Sequence, residues 1–424
     1  MSADTAAAKS LAEMKLLDPE ALKCPYHYDK TLREQAPVYQ DPETGAYIVS
    51  TYNLVREVHK AKDVFSNEFT LALGSSRKID DDVVAEMRNT YDIGKGTLLT
   101  VDDPEHGFYR DAVKDFFLAD NVAQYAPWIR EKANALADKL EQKESANFVE
   151  EFARPLPLSV IMHVLGMPEE IFDQAFQWTV DNVALLSQIA DKDALIAAQK
   201  GVAAEYEWFV SALNERRGNS QGDLLSLVAN ARYKDDDGDR EMTIEEQISY
   251  CTQFLVAGNE TTTATLAEGF RQLCMHPEQE AMIRADRSLI PNLVEETLRL
   301  ASPTSNMWRV SKTDYELGGV NIPAGSMVLL KYFSSNHDET MFEDPMAFDV
   351  NRKNVRRHIS FGFGTHVCIG QHLSKLEMII GWEVLFERFD NFQLAVGLDD
   401  LEYMPNVLLR GLEEVPVTYK KVGG

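Results

Sequence analysis

Phe361 to Gly370 reads FGFGTHVCIG and sets one of only four cysteines in 424 residues among three glycines. A long amphipathic helical pattern, QHLSKLEMIIGWEVLFERF, begins immediately after it. A helix N-terminus favours thiolate over thiol through its dipole and unpaired N–H groups. Glycines let backbone amides approach a sulfur closely. The bed therefore suits a metal-ligating thiolate or a nucleophile, with a structural thiol as the third reading. His366 lies two residues before Cys368, with His358 and His372 near, so a base for a nucleophile is at hand.

Composition narrows the field around this site. With 68 acidic and 42 basic residues the net charge is −26, the opposite of what nucleic-acid binding needs. Cys24, Cys251, Cys274 and Cys368 are far apart with no C-x-x-C pair, which argues against a disulfide framework or a structural zinc site. Cys251 and Cys274 sit in apolar helical surroundings and read as inert thiols. The first twenty residues, MSADTAAAKSLAEMKLLDPE, hold no apolar run fit for a signal peptide, and no later stretch reaches the length of a membrane span. A reduced, cytoplasmic, monomeric enzyme is expected.

Patterning predicts a mainly α fold with small β-sheets (α+β) and no dividing linker. AYIVS reads as a strand before the helix TYNLVREVHKA, and an irregular stretch runs from about Ser66 to Asp102. Helical patterns follow from Pro104 to about Leu165 and on to about Arg217. YKDDDGDRE (233–241) reads as a solvated charged loop. Thr243 and Glu246 form a capping-box candidate for a long helix to about Cys274. Short strands are expected between Ser302 and Lys331 and again near the C-terminus.

Phe361, Gly364, Cys368 and Gly370 form F-x-x-G-x-x-x-C-x-G, which resembles the haem-binding signature of the cytochrome P450 family. Three further stretches match in the family's order. Glu296 and Arg299 form an E-x-x-R on one helical face, with Glu295 as a one-residue alternative. Ala257-Gly258-Asn259-Glu260-Thr261-Thr262 interrupts the long helix with a glycine that costs about 1 kcal/mol relative to alanine. Close helix packing is the competing explanation of that glycine. Asp103-Pro104-Glu105-His106-Gly107-Phe108-Tyr109-Arg110 matches D-P-x-H-x-x-x-R.

The resemblance spans about residues 25 to 418 and implies one P450 domain over 25–424, preceded by a partly flexible extension, 1–24. It implies haem b with Cys368 as the axial iron ligand, shielded by Phe361 and tuned by the Gly364 and Gly370 amides. His106, Arg110, Arg309 and His366 would hold the haem propionates. Ala257 and Gly258 would cross the oxygen-binding face, with Thr261 and Glu260 managing proton delivery. Glu296 and Arg299 would brace the core beneath the haem. The implied activity is a monooxygenase that inserts one atom of O2 into a hydrophobic small molecule, terpenoid, steroid-like or aromatic.

Pocket positions implied by the resemblance are Leu98, Leu99, Gln253, Phe254, Val256, Ala257, Asn306, Met307, Leu408 and Leu409, with Phe69, Leu73, Phe176 and Leu185 nearby. Gln253 and Asn306 could each anchor a hydroxyl or carbonyl. With no fused flavin or ferredoxin domain, NAD(P)H would serve only indirectly, through a ferredoxin or flavodoxin and its reductase. Lys114, Arg352, Lys353, Arg356, Arg357 and Lys375 are the basic candidates for that partner's docking surface. A haem-thiolate peroxygenase or isomerase, a haem-binding sensor, and a haem-free cysteine-nucleophile transferase are the alternatives.

Overall fold

Thr243 caps the central helix as expected: Glu246 N–H donates to Thr243 Oγ1 at 3.3 Å, and Thr243 N–H donates to Glu246 Oε2 at 2.8 Å. This computed structural model describes residues 11, 14–69, 96–186, 192–235 and 238–423. The helices that position the site are α1 (Tyr52–Lys60), α2 (Glu105–Val113), α3 (Ala126–Leu140), α4 (Pro155–Leu165), α5 (Phe172–Leu186) and α6 (Lys192–Arg216). They are followed by α7 (Ile244–Met275), α8 (Ile290–Ala301) and α9 (Gln371–Arg388).

At 32 residues α7 crosses the whole core, roughly 48 Å at 1.5 Å per residue. Helices α4, α5, α6, α8 and α9 all pack against it. Its burial is near-continuous after Thr261, and its more accessible residues cluster between Thr252 and Thr261. Gly258 has no side chain because α4 leaves no room. A Cβ there would stand 2.9 Å from Ile161 Cγ1, so close packing accounts for this glycine.

A five-stranded sheet forms one flank. Its strands are β1 (Val38–Gln40), β2 (Tyr47–Val49), β3 (Phe65–Ser66), β4 (Asn306–Ser311) and β5 (Met327–Lys331), in the order β1-β2-β5-β4-β3. β5 runs parallel to β2 and antiparallel to β4, pairing Val328 with Arg309 and Leu330 with Met307. Alternation along β4 places Met307 and Arg309 on one face and Asn306 and Trp308 on the other. A second sheet joins 389–394, 416–421 and 145–147.

Two expectations change. The charged run at 233–241 is not a loop: Arg232–Asp235 and Gly238–Glu241 pair as an antiparallel hairpin, with Arg232 bridging to Asp239 and Glu241 across it. The boundary expected after residue 24 falls inside packed structure. Met14, Leu16 and Leu22 are buried with Tyr28, Leu32, Ile48 and Trp308, and Lys23 reaches Glu402 at 2.7 Å. Among the described residues, no helix is long and apolar enough to cross a membrane.

Candidate active site

Cys368 stands three residues before α9, and its own N–H donates to the Phe361 carbonyl at 2.9 Å, closing the loop on itself. Gly362 and Gly364 hold φ of +74° and +80°, a left-handed backbone that side chains disfavour. A Cβ on Gly364 would also crowd the His59 carbonyl at 3.3 Å. The N–H groups of Gly370 and Gln371 point at the sulfur. Burial pushes the thiol pKa up, while the Gly370 amide, Arg110, the Gln371 amide and Lys375 all favour the thiolate. Phe361 lies beside this loop with Lys375 Nζ 5.1 Å from its ring centroid.

Four donors converge near the loop from three separate elements. His106 on α2 and His366 stack with ring centroids 3.8 Å apart. His106 is buried, meets Asp103 at 3.4 Å, and leaves Nε2 without a hydrogen-bond partner. The Nδ1 of His366 lies 3.2 Å from the Leu98 carbonyl. Burial, His106 and Arg309 push the His366 pKa down to about 3. Arg309 is buried on β4, with the Tyr332 hydroxyl acting on its guanidinium. Tyr332 in turn meets His59 Nε2 at 2.9 Å. Arg110 is half-buried and close enough to feel the Cys368 charge. Burying so many donors around an orphaned imidazole nitrogen calls for an anionic ligand.

On α7, Ala257 is exposed and Val256 and Thr261 are half-buried on an otherwise enclosed helix. The Thr261 hydroxyl donates to the Ala257 carbonyl at 3.0 Å. Glu260 turns away, toward Thr179 on α5 at 3.4 Å and toward the charge of Arg154. Burial raises its carboxyl pKa, with Arg154 opposing. These features fit a haem: a buried thiol with amide donors aimed at it, a cluster of buried donors suited to carboxylates, and a strip of small residues on α7.

Beneath the site, Arg299 and Glu296 form a fully buried bidentate pair, with Nε to Oε2 at 2.8 Å and Nη2 to Oε1 at 2.7 Å. Glu295 instead holds His358 and Lys375, each at 2.9 Å. Arg352 is not on the docking surface. It is buried, donating to Glu296 Oε1 at 3.0 Å and to the carbonyls of Glu343, Asp344 and Ala347. Lys353, Arg356 and Arg357 are exposed, whereas Lys114 pairs with Asp111 at 2.7 Å.

Several pocket positions are already engaged. Gln253 donates to Thr97 Oγ1 and Ser249 Oγ and accepts from Leu99 N–H at 3.2 Å, so both ends of its amide are occupied. Asn306 faces away from Arg309, giving its Nδ2 to Val407 O and Ser305 Oγ. Its expected role as a substrate anchor gives way to holding the 406–409 turn. Phe254 is core, packed on Phe117 and Tyr250. Phe176 lies against the Arg154 guanidinium at 4.6 Å, and Phe69 and Leu408 are buried beside Trp308. Met307 and Leu409 are half-buried at that cluster's margin, as is Leu98 at the main core. Leu99 is exposed, and Leu73 lies outside the described residues.

One site residue escaped the sequence reading. Glu377 on α9 is buried with Oε2 unpartnered, and the Thr262 hydroxyl of α7 lies close enough to favour its charged form against burial. Thr262 also meets Ser374 Oγ at 3.0 Å. A lone acid inside the apolar run of α9, KLEMII, was the available signal.

Fold and site together define a haem-thiolate protein. The family model for cytochrome P450 matches residues 36–400. The chain is 31% identical over 405 residues to the biotin biosynthesis cytochrome P450 of Bacillus subtilis (strain 168), covering 95% of this chain and 98% of that relative. It is 30% identical over 388 residues to the steroid C26-monooxygenase of Mycobacterium tuberculosis (strain CDC 1551), covering 92% and 98%. A solved cytochrome P450 from Chondromyces apiculatus superposes with a TM-score of 0.84 at 31% identity, over 98% of this chain and 100% of that one. The chain belongs to the cytochrome P450 family and is an oxidoreductase of the monooxygenase type. Its cofactor is haem b and its co-substrate dioxygen, with electrons drawn from NAD(P)H through separate proteins as in the family generally.

Proposed function

We propose that this enzyme hydroxylates or epoxidises a hydrophobic small molecule of terpenoid, steroid-like or aromatic type. The carrying observation is the accessible strip of α7, where Val256, Ala257 and Thr261 present small, mostly apolar surface on an otherwise enclosed helix. The similarity to a steroid C26-monooxygenase supports an extended apolar substrate. Bound haem would supply dioxygen activation at iron, with Cys368 as its thiolate ligand. Thr261 would present a hydroxyl where oxygen binds. Glu260, set about 100° round the helix, would pass protons inward from the Thr179 and Arg154 side. His106, Arg110, Arg309 and His366 would fix the cofactor's carboxylates. Lys353, Arg356 and Arg357 would receive an acidic ferredoxin or flavodoxin.

The test is a ligand panel of steroids, terpenoids and alkylaromatics, read by the high-spin shift of the haem-loaded protein. Turnover under 18O-labelled dioxygen follows for each binder. One labelled oxygen per product is expected. A panel without any spin shift, or products lacking the label, would reject the reading.

A further inference from the structure

Two carboxyls are buried together where α5, α6 and α7 meet, away from the haem donors. Glu205 on α6 has no accessible surface. Its Oε2 accepts from Asn182 Nδ2 on α5 at 2.7 Å. Its Oε1 is buried and makes no well-formed hydrogen bond; the Thr252 hydroxyl faces it from α7 and favours the charged form, short of full hydrogen-bond geometry. One turn earlier on the same face of α6 is Gly201. A Cβ there would stand 1.7 Å from Asp181 Oδ2, so the Asp181 carboxyl lies on the α6 backbone itself. Asp181 is also buried, with Gln177 Nε2 at 2.9 Å as its donor.

The titratable groups acting on Glu205 are Asp181 from α5 and the Cys251 thiol from α7, and neither brings a positive charge. A carboxylate in this position would have one firm donor in Asn182, a weaker one in Thr252, a second acid beside it and no exposure to solvent. That arrangement disfavours the ion, whereas the neutral acid fits. Accordingly, burial holds the Glu205 carboxyl up at about 8.

We propose that Glu205 is a pH-sensitive latch on the helix pair that packs beside the active-site stretch of α7: its neutral carboxyl holds α5 and α6 against α7, and its ionisation loosens that seam. Thr252 is one helical turn before Val256, so loosening there reaches the accessible strip directly. The packed seam binds one more proton than the opened one between the ordinary carboxylate range and about pH 8. The latch is therefore complete below about pH 4.5, and opening grows about tenfold per pH unit up to about pH 8.

Hydrogen exchange of the haem-loaded protein between about pH 5.5 and 7.5 tests this, after correction for intrinsic amide rates. Protection of α5 and α6 should fall about tenfold per unit while that of α8 stays level. Glu205→Gln, and Glu205→Leu if the amide variant loses haem, should hold α5 and α6 at one protection across the range. A wild-type profile with no slope, or a slope that persists in either variant, would overturn the latch.

Discussion

Arg299 and Glu296 face each other on one turn of α8 with both side chains wholly inaccessible, and Arg352 closes the group from 56 residues away. The three act as a unit because Glu296 answers two guanidiniums. Removing Arg299 breaks the bidentate pair, leaves Glu296 to Arg352 alone and strands the buried carbonyls of Asn336 and Pro345 that its guanidinium served. Arg299→Ala should therefore destabilise by about 3–5 kcal/mol. Chemical denaturation of the haem-loaded protein measures this, and a loss under about 1 kcal/mol would contradict it. Arg352→Ala should show the same kind of loss, with reduction by the partner unaffected in the molecules that fold.

The contact of Gly258 with Ile161 gives a second prediction. Gly258→Ala gains up to about 1 kcal/mol of helix propensity but overpacks the α4–α7 seam by about 1–3 kcal/mol. Ile161→Ala opens a cavity at the same point. The double variant should be more stable than the sum of the two single losses, because the new methyl occupies the vacated space. Strict additivity in denaturant unfolding would show that the two positions do not press on each other.

The acid limb of stability should depend on Glu295. His358 and Lys375 hold its carboxyl down at about 2 against the opposing effect of burial. A depressed carboxyl contributes stability above its unfolded pKa of about 4.5 and loses it as pH falls toward 2, up to about 3 kcal/mol in all. Glu295→Gln should lower stability at pH 6 and flatten its fall between about pH 4.5 and 2. Urea unfolding at stepped pH reads both effects.

Glu260 gives a prediction on turnover. Glu260→Gln keeps the hydrogen-bonding shape toward Thr179 but cannot carry a proton. Turnover should fall by on the order of 10²-fold with substrate affinity unchanged, and the solvent isotope effect should change. An unaltered rate would place the proton route elsewhere, with Glu377 as the next acid to test.

The docking surface is tested by charge reversal. Arg356→Glu with Arg357→Glu should slow reduction by an acidic partner at low salt, with the difference shrinking as salt rises. Substrate-induced spin shifts should match those of the wild type. Equal reduction rates at low salt would rule this surface out.

Much of this site was legible because its motifs are local. Cys368 and its glycines, the Glu296–Arg299 turn and the His106–Arg110 face each lie within a few residues, where helix geometry fixes who meets whom. What was not legible depends on distant partners. Arg352 reads as one more basic residue in RKNVRR until Glu296 is brought to it. Gln253 and Asn306 read as free polar anchors because Thr97 and Val407 are 156 and 101 residues away. The charged 232–241 segment became a hairpin because its cross-strand pairs join opposite charges, which composition alone treats as solvated.

Gln253 also has a consequence for change at this enzyme. Its one amide fixes the 97–99 segment to α7, and Leu98 in that segment offers its carbonyl to His366. A substitution at 253 is thus a substitution in the hinge between substrate side and cofactor edge. Substitutions there will shift the position of the 97–99 segment, whereas Val256, one turn on, carries no such tie.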